Sequence, residues 1–164
     1  MKTLLIMRHA KSSWADASLS DHDRPLKNRG RYDAPRMGTL LYKEGLTPEV
    51  IITSSARRAV ETAKMVAAES EYEGQIVVSE ELYHGDPESY LTAAREHGES
   101  HGIIMLVGHN PGVEDLVEQL TGAWQRMPTS ALVQVSLDIQ TWSLLQDDAT
   151  GQLVNMWLPG DLKR

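Results

Sequence analysis

Two histidines and several arginines stand where short apolar stretches end. Arg8-His9 follows the apolar run at 3–7. Ser54-Ser55-Ala56-Arg57-Arg58 follows the run at 50–53. Gly108-His109-Asn110-Pro111-Gly112 follows the run at 103–107. Two guanidinium groups imply an anion with several oxygens, because their forked donors match phosphate two at a time. An imidazole beside them has an ordinary pKa of about 6.5, so much of it is neutral at cellular pH. Neighbouring arginines favour that neutral form further. A neutral imidazole nitrogen can attack phosphorus, and water can cleave the labile phosphohistidine that results. A lone histidine is more often structural. Two histidines and two arginines at three such junctions are hard to assign to chance.

The junctions need elements to hold them. Apolar runs alternate with helical patterns along the chain. Strands are expected at 3–7, 50–53, 75–79, 103–107, 131–139 and 153–158. Helices are expected at 31–44, 56–69, from Asp86 to near Gly98, and at 112–120. Pro35 fits only a first turn, which makes Asp33 the expected N-cap of its helix. Ser54 or Ser55 is the expected cap of the next, and a helix starting there offers N–H donors to an anion. Asp86-Pro87-Glu88 is a strong helix start. The segment 11–28 reads as loop, and the segment after Gly122 carries no chemical signal. The order of elements predicts a three-layer α/β sandwich, with helices covering a mostly parallel sheet. Ligands of such sheets bind beyond the carboxyl ends of strands, which is where the three junctions lie.

Composition narrows the chemistry. The 164 residues include no cysteine, which removes disulfides, cysteine-ligated metals and a cysteine nucleophile. A chain of this length buries about 69% of its unfolded surface, enough for one domain over 1–164 without staples. The net charge is −7, so nucleic acid and anionic membrane are poor partners. Residues 1–43 nevertheless carry +5 and the remainder −12, so the first quarter is a candidate lining for an anion site. No apolar run approaches the ~20 residues of a membrane span, and the expected location is the cytoplasm.

Other motifs fail on context. Gly98-Glu99-Ser100-His101-Gly102 spells a nucleophile elbow but lies after a helix and before a strand, the reverse of what that elbow needs. His97 and His101 flank a glycine turn and lack further ligands. Asp21-His22-Asp23 could bind a cation, although a solvated loop is the commoner origin of such a run. There is no GxxxxGK[ST] and no GxGxxG, so nucleotide cofactors have no support.

Met7-Arg8-His9-Ala10-Lys11-Ser12-Ser13-Trp14 resembles the opening of SixA-type phosphohistidine phosphatases. These form a small branch of the histidine phosphatase (phosphoglycerate mutase-like) superfamily. The resemblance continues in Asp23-Arg24-Pro25-Leu26, Arg29-Gly30 and Ser54-Ser55-Ala56-Arg57-Arg58-Ala59. It extends through Glu61-Thr62-Ala63, Leu82-Tyr83 and Val107-Gly108-His109-Asn110-Pro111-Gly112. It implies a phosphoglycerate mutase-like fold and a covalent phosphohistidine intermediate. It implies His9 as the nucleophile, Arg8, Arg57 and His109 as the phosphate pocket, and no metal or organic cofactor. Ala10 stands where the wider superfamily has glycine, as in the SixA-like branch. Many members carry a glutamate that protonates the leaving group. Glu81, ahead of Gly85, is the candidate for that acid, and the alternative is a surface residue beside Glu80.

General acid catalysis typically contributes about 10²–10⁴-fold. A phosphate ester leaves as a poor alkoxide and needs the proton, whereas phosphohistidine leaves readily once its nitrogen is protonated. The expected substrate is therefore a phosphohistidine-bearing protein, such as a phosphotransfer domain. The alternatives are a phosphatase of sugar phosphates or similar metabolites, and a module that binds phosphate without hydrolysing it.

Overall fold

The computed structural model describes residues 1–162. Its strands are β1 (Lys2–Arg8), β2 (Val50–Ser54), β3 (Ile76–Ser79), β4 (Ile103–Gly108), β5 (Leu132–Leu137) and β6 (Gly151–Trp157). Its helices are α1 (Asn28–Lys43), α2 (Arg57–Glu69), α3 (Pro87–His97) and α4 (Gly112–Thr121). The sheet order is β3-β2-β4-β1-β5-β6. The pairs β3–β2, β2–β4 and β4–β1 are parallel, while β5 runs antiparallel to both its neighbours. The expected three-layer α/β sandwich is the observed architecture.

Alternation along the inner strands sorts the two cores, because successive side chains point to opposite faces. Leu4, Ile6, Ile104 and Leu106 join Leu91, Val113, Leu116 and Val117 of α3 and α4 on one face. Leu5, Met7, Met105 and Val107 join Met37, Leu41, Ala59, Ala63 and Val66 of α1 and α2 on the other. A strand buried on both faces must be apolar throughout, which is why β1 and β4 read as unbroken apolar runs.

Two helix starts differ from the sequence expectation. The helix α1 begins at Asn28 and carries Pro35 in its interior. Asp33 is no cap. It is buried within the helix, where the Arg29 Nε donates to its carboxylate at 2.8 Å and Arg36 lies 3.5 Å away. That pairing and the packing against α2 offset the hydrogen bond that Pro35 removes. Ala56 sits at the N-cap of α2 with no side-chain cap, because Ser54 and Ser55 are otherwise engaged. Asp86 caps α3 as expected, accepting from the Ser89 N–H at 3.0 Å.

The strand ends meet at one edge. In the β1–β4 register Arg8 lies opposite Gly108, and the His9 N–H donates to the Gly108 carbonyl at 3.0 Å. His9 and His109 therefore leave the sheet side by side. Gly108 permits this because the Tyr90 hydroxyl occupies the space that a Cβ would fill. That hydroxyl accepts from the His109 N–H at 3.1 Å. Gly108→Ala is expected to cost about 1–3 kcal/mol by overpacking and to loosen His109. Urea unfolding checks it, and an unshifted midpoint would show that Tyr90 can move aside freely.

Candidate active site

A cleft of about 630 Å³ opens over the carboxyl ends of β1 and β4. Its wall includes Arg8, His9, Arg58 and His109. The rings of His9 and His109 are 5.0 Å apart, tilted by 54°. Both residues are nearly inaccessible, at 6% and 9% exposure.

His9 has a defined tautomer. Its Nδ1 lies 2.8 Å from the Ala10 carbonyl oxygen, which can only accept. The proton therefore sits on Nδ1, and Nε2 keeps its lone pair. Burial pushes the His9 pKa down to about 3, with smaller contributions from His109, Arg58 and Arg8 against the opposing Ala10 hydrogen bond. Burial also pushes His109 down to about 4, Arg58 adding to it and Asp21 opposing. Each imidazole is neutral at pH 7. The His109 Nε2 pairs with the Ser54 Oγ at 2.7 Å, so the serine expected to cap a helix orients this ring.

The guanidinium in the cleft belongs to Arg58. The Arg57 side chain is 52% exposed and turns outward to Glu61, 3.7 Å away, whereas the Arg58 side chain is only 7% exposed. The expectation of Arg57 in the pocket is thus corrected by one residue. The reason is helical phase. Residues 57 and 61 share the outer stripe, while 58, 62 and 66 share the inner one. An i,i+4 Arg–Glu pair on an amphipathic helix could have signalled this. Arg58 Nε lies 3.4 Å from His9 Nε2, and its Nη2 lies 3.5 Å from His109 Nδ1. Thr62 secures the helix to the loop after β1, donating to the Arg58 carbonyl at 2.7 Å and accepting from the Ala10 N–H at 2.9 Å.

Asp21 is the counter-charge. Its carboxylate accepts from Tyr83 at 2.5 Å, from Arg58 Nη2 at 3.2 Å and from Arg24 Nε at 3.2 Å. Its backbone carbonyl accepts from Arg58 Nη1 at 2.8 Å. The Tyr83 hydrogen bond, then Arg58 and Arg24, hold the Asp21 pKa at about 2. Asp21-His22-Asp23, expected as solvated loop, has no buried residue but forms a single 3-10 turn beside the cleft, where Asp21 lines the wall and His22 pairs with Ser55 at 2.9 Å. Nothing in the residue order alone announces this long-range contact.

Glu81 is not in the cleft. It is exposed and accepts from Ser79 at 3.1 Å, so its expected place as leaving-group acid is not where the structure puts it. The short turn over Glu80–Leu82 aims that carboxylate outward and delivers Tyr83 and His84 to the wall instead. The segment after Gly122 does contribute. Arg8 Nη1 donates to the Met127 carbonyl at 3.2 Å, and Thr129 lines the cleft. Arg8, Lys11 and Arg24 all reach the wall from the positively charged first quarter. Among the described residues, no cluster of three histidines or carboxylates could hold a metal ion.

Comparison with known proteins bears on this arrangement. An uncharacterised chloroplastic protein of Arabidopsis thaliana is 34% identical over 149 residues, which is 81% of this chain and 66% of that protein. The structure of the protein histidine phosphatase SixA complexed with tungstate superposes with a TM-score of 0.81 at 26% identity, covering 98% of this chain and 99% of that one. A mycobacterial glucosyl-3-phosphoglycerate phosphatase shares the fold, with a TM-score of 0.70 at 15% identity over 96% of this chain and 98% of that one. The profile of the histidine phosphatase superfamily, branch 1, matches residues 4–100. With that match covering more than half its length, the chain belongs to the histidine phosphatase superfamily.

Proposed function

We propose that the protein hydrolyses phosphoryl groups through a phosphohistidine at His9, and that its substrate is a phosphohistidine side chain of another protein. The observation that carries the reading is the His9 tautomer, with Nδ1–H fixed on the Ala10 carbonyl and the Nε2 lone pair facing Arg58 Nε at 3.4 Å, in a cleft also lined by Arg8 and His109. In the first step Nε2 attacks phosphorus and the substrate's P–N bond breaks. The departing imidazole keeps the electron pair of that bond and takes up a proton from solvent at the mouth of the cleft. In the second step water attacks, the P–Nε2 bond breaks with its electron pair returning to Nε2, and inorganic phosphate leaves with the water oxygen while the surplus water proton passes to solvent. Arg8 and Arg58 neutralise the transferring oxygens, the largest expected source of stabilisation. His109 sits beside them to donate a hydrogen bond or carry a proton.

The carboxyl groups favour an easy leaving group. Asp21, held at about 2, has no proton to give at neutral pH. Asp86 is engaged in capping α3, and Glu81 lies outside the cleft. With Asp21 ionised and Glu81 outside, the site suits imidazole better than an alkoxide. No step calls for a metal, and turnover is expected to persist in chelator. The family model and the SixA likeness support phosphatase chemistry. Among the described residues no helix is long and apolar enough to cross a membrane.

Three measurements test the reading. His9→Ala should abolish turnover of a phosphorylated histidine-phosphotransfer domain, and mass spectrometry after alkaline quench should find phosphate on His9 of the active protein. Retained turnover would remove His9 as nucleophile, and faster turnover of phosphate esters would favour a metabolite substrate. Arg58→Ala should lower kcat/KM by about 10²–10³-fold, as removal of an oxyanion donor does, and Arg57→Ala by less than about threefold. A reversed order would return Arg57 to the pocket.

The neutral histidines also set an acid limit on stability. Their folded pKa values lie below 6.5, so the unfolded chain binds more protons as pH falls from 7. Stability is complete above about 6.5 and declines below it. At pH 5 each histidine should cost about 2 kcal/mol relative to neutral pH. Urea titrations at pH 7.5 and 5 should show this loss, and His9→Gln with His109→Gln should flatten it. An equal loss in that double variant would assign the acid limit to other groups.

A further inference from the structure

Trp14 stands at the rim of the cleft with 74% of its surface exposed. It is firmly mounted for so exposed a residue. The Arg24 guanidinium carbon lies 3.4 Å from the centre of its ring, a cation–π stack. The Arg24 side chain is itself only 9% exposed and is fixed through Nε on Asp21. The segment between Ser12 and Leu26 is closed at its neck, where those two residues bridge and the Ser13 N–H donates to the Pro25 carbonyl at 2.8 Å. One face of the indole is therefore covered and braced, and the remainder is open at the mouth of the cleft. Arg24 also has a buried Nη1 with no hydrogen-bond partner, in a side chain that lines the same cleft. The pair thus presents a braced aromatic face at the mouth of the cleft.

The chemistry of displacement says what arrives there. The His9 Nε2 attacks from the buried floor, and the leaving group of an in-line displacement departs on the far side of phosphorus. That side is the open mouth. A planar ring leaving in that direction meets an aromatic wall, and offset stacking is its favourable contact. We infer that Trp14, braced by Arg24, is a leaving-group platform that stacks the ring of an aromatic N- or O-phosphorylated substrate. Under the proposed function, on which the choice of ring rests, the ring is the imidazole of phosphohistidine.

The experiment compares kcat/KM of the wild type, Trp14→Ala and Trp14→Phe on three probes. A phosphohistidine peptide has the ring and the P–N bond. The ester p-nitrophenyl phosphate has a ring without histidine. Phosphoramidate has the P–N bond without a ring. Trp14→Ala should lower kcat/KM for both ringed probes roughly three- to tenfold more than for phosphoramidate, mostly through KM. Trp14→Phe should restore most of that difference. An equal loss on all three probes would make Trp14 only a brace for Arg24 and Asp21, and no loss on any would make it a surface residue. Either result overturns the platform. Selective loss on the ester, with the peptide not turned over at all, would uphold the platform and overturn the phosphohistidine reading. Turnover of the peptide without a selective loss would do the reverse.

Discussion

A guanidinium ion withdrawn from water must be met by hydrogen-bond acceptors, and much of the cleft is arranged to meet that of Arg58. Its side chain is 7% exposed. Two of its nitrogens are taken by the carbonyl and carboxylate of Asp21, and these bonds hold the 3-10 turn beside the cleft. Leaving such a charge without its partner is among the costliest changes a buried site can suffer. The same cation stands 3.4 and 3.5 Å from the two imidazole rings. It adds to the burial that keeps both neutral. One ion therefore ties the long loop to α2, sets the charge state of the histidines and offers its remaining hydrogen-bonding capacity to an anion.

Backbone register decides whether that ion has anything to act on. Parallel pairing of β1 with β4 sets Arg8 opposite Gly108, and the next residue on each strand is a histidine. A slip of one residue would send one imidazole to the opposite face. The register is pinned from both sides, because each face of both strands is buried against helices and admits only its own set of side chains. Tyr90 then fixes the exit of β4, and Thr62 fixes the exit of β1. The site is precise because it hangs on the two innermost strands, while its variable parts lie on loops.

What was legible in the sequence follows from this division. The apolar runs of β1 and β4, the Asp86 cap and the strand-end histidines are local patterns, and the structure places them as expected. Pro35 breaks the local helix rule because the pairs of Asp33 with Arg29 and Arg36 inside α1, and the packing of α1 on α2, outweigh it. Arg57 and Arg58 look alike in sequence, yet adjacent residues differ by 100° around a helix, and only the Arg57–Glu61 pair separates them. The pairing of Asp21 with Tyr83 is not legible for another reason. Their contact spans 62 residues and depends on how two loops cross, which no local period encodes. Glu81 was drawn to a role by its spacing to Gly85, yet the direction of its side chain is set by the turn that precedes Tyr83.

The charge balance explains why the cleft can wait for an anion without collapsing. Arg8, Lys11, Arg24 and Arg58 bring four positive charges to the wall, Asp21, Asp86 and Asp115 return three, and the imidazoles of His9 and His109 are neutral at pH 7. The surplus is one cation. Arg58 spends part of its capacity on long contacts to two weakly accepting nitrogens, and Arg8 Nε is buried without a partner. Bonds to phosphoryl oxygen would be shorter and charge-assisted, so these donors have more to gain from a phosphoryl group than from their present neighbours. Under the proposed function, turning the Arg58 Nε to that oxygen would release the Nε2 of His9. Binding the anion and freeing the proposed nucleophile would then be the same movement of one side chain.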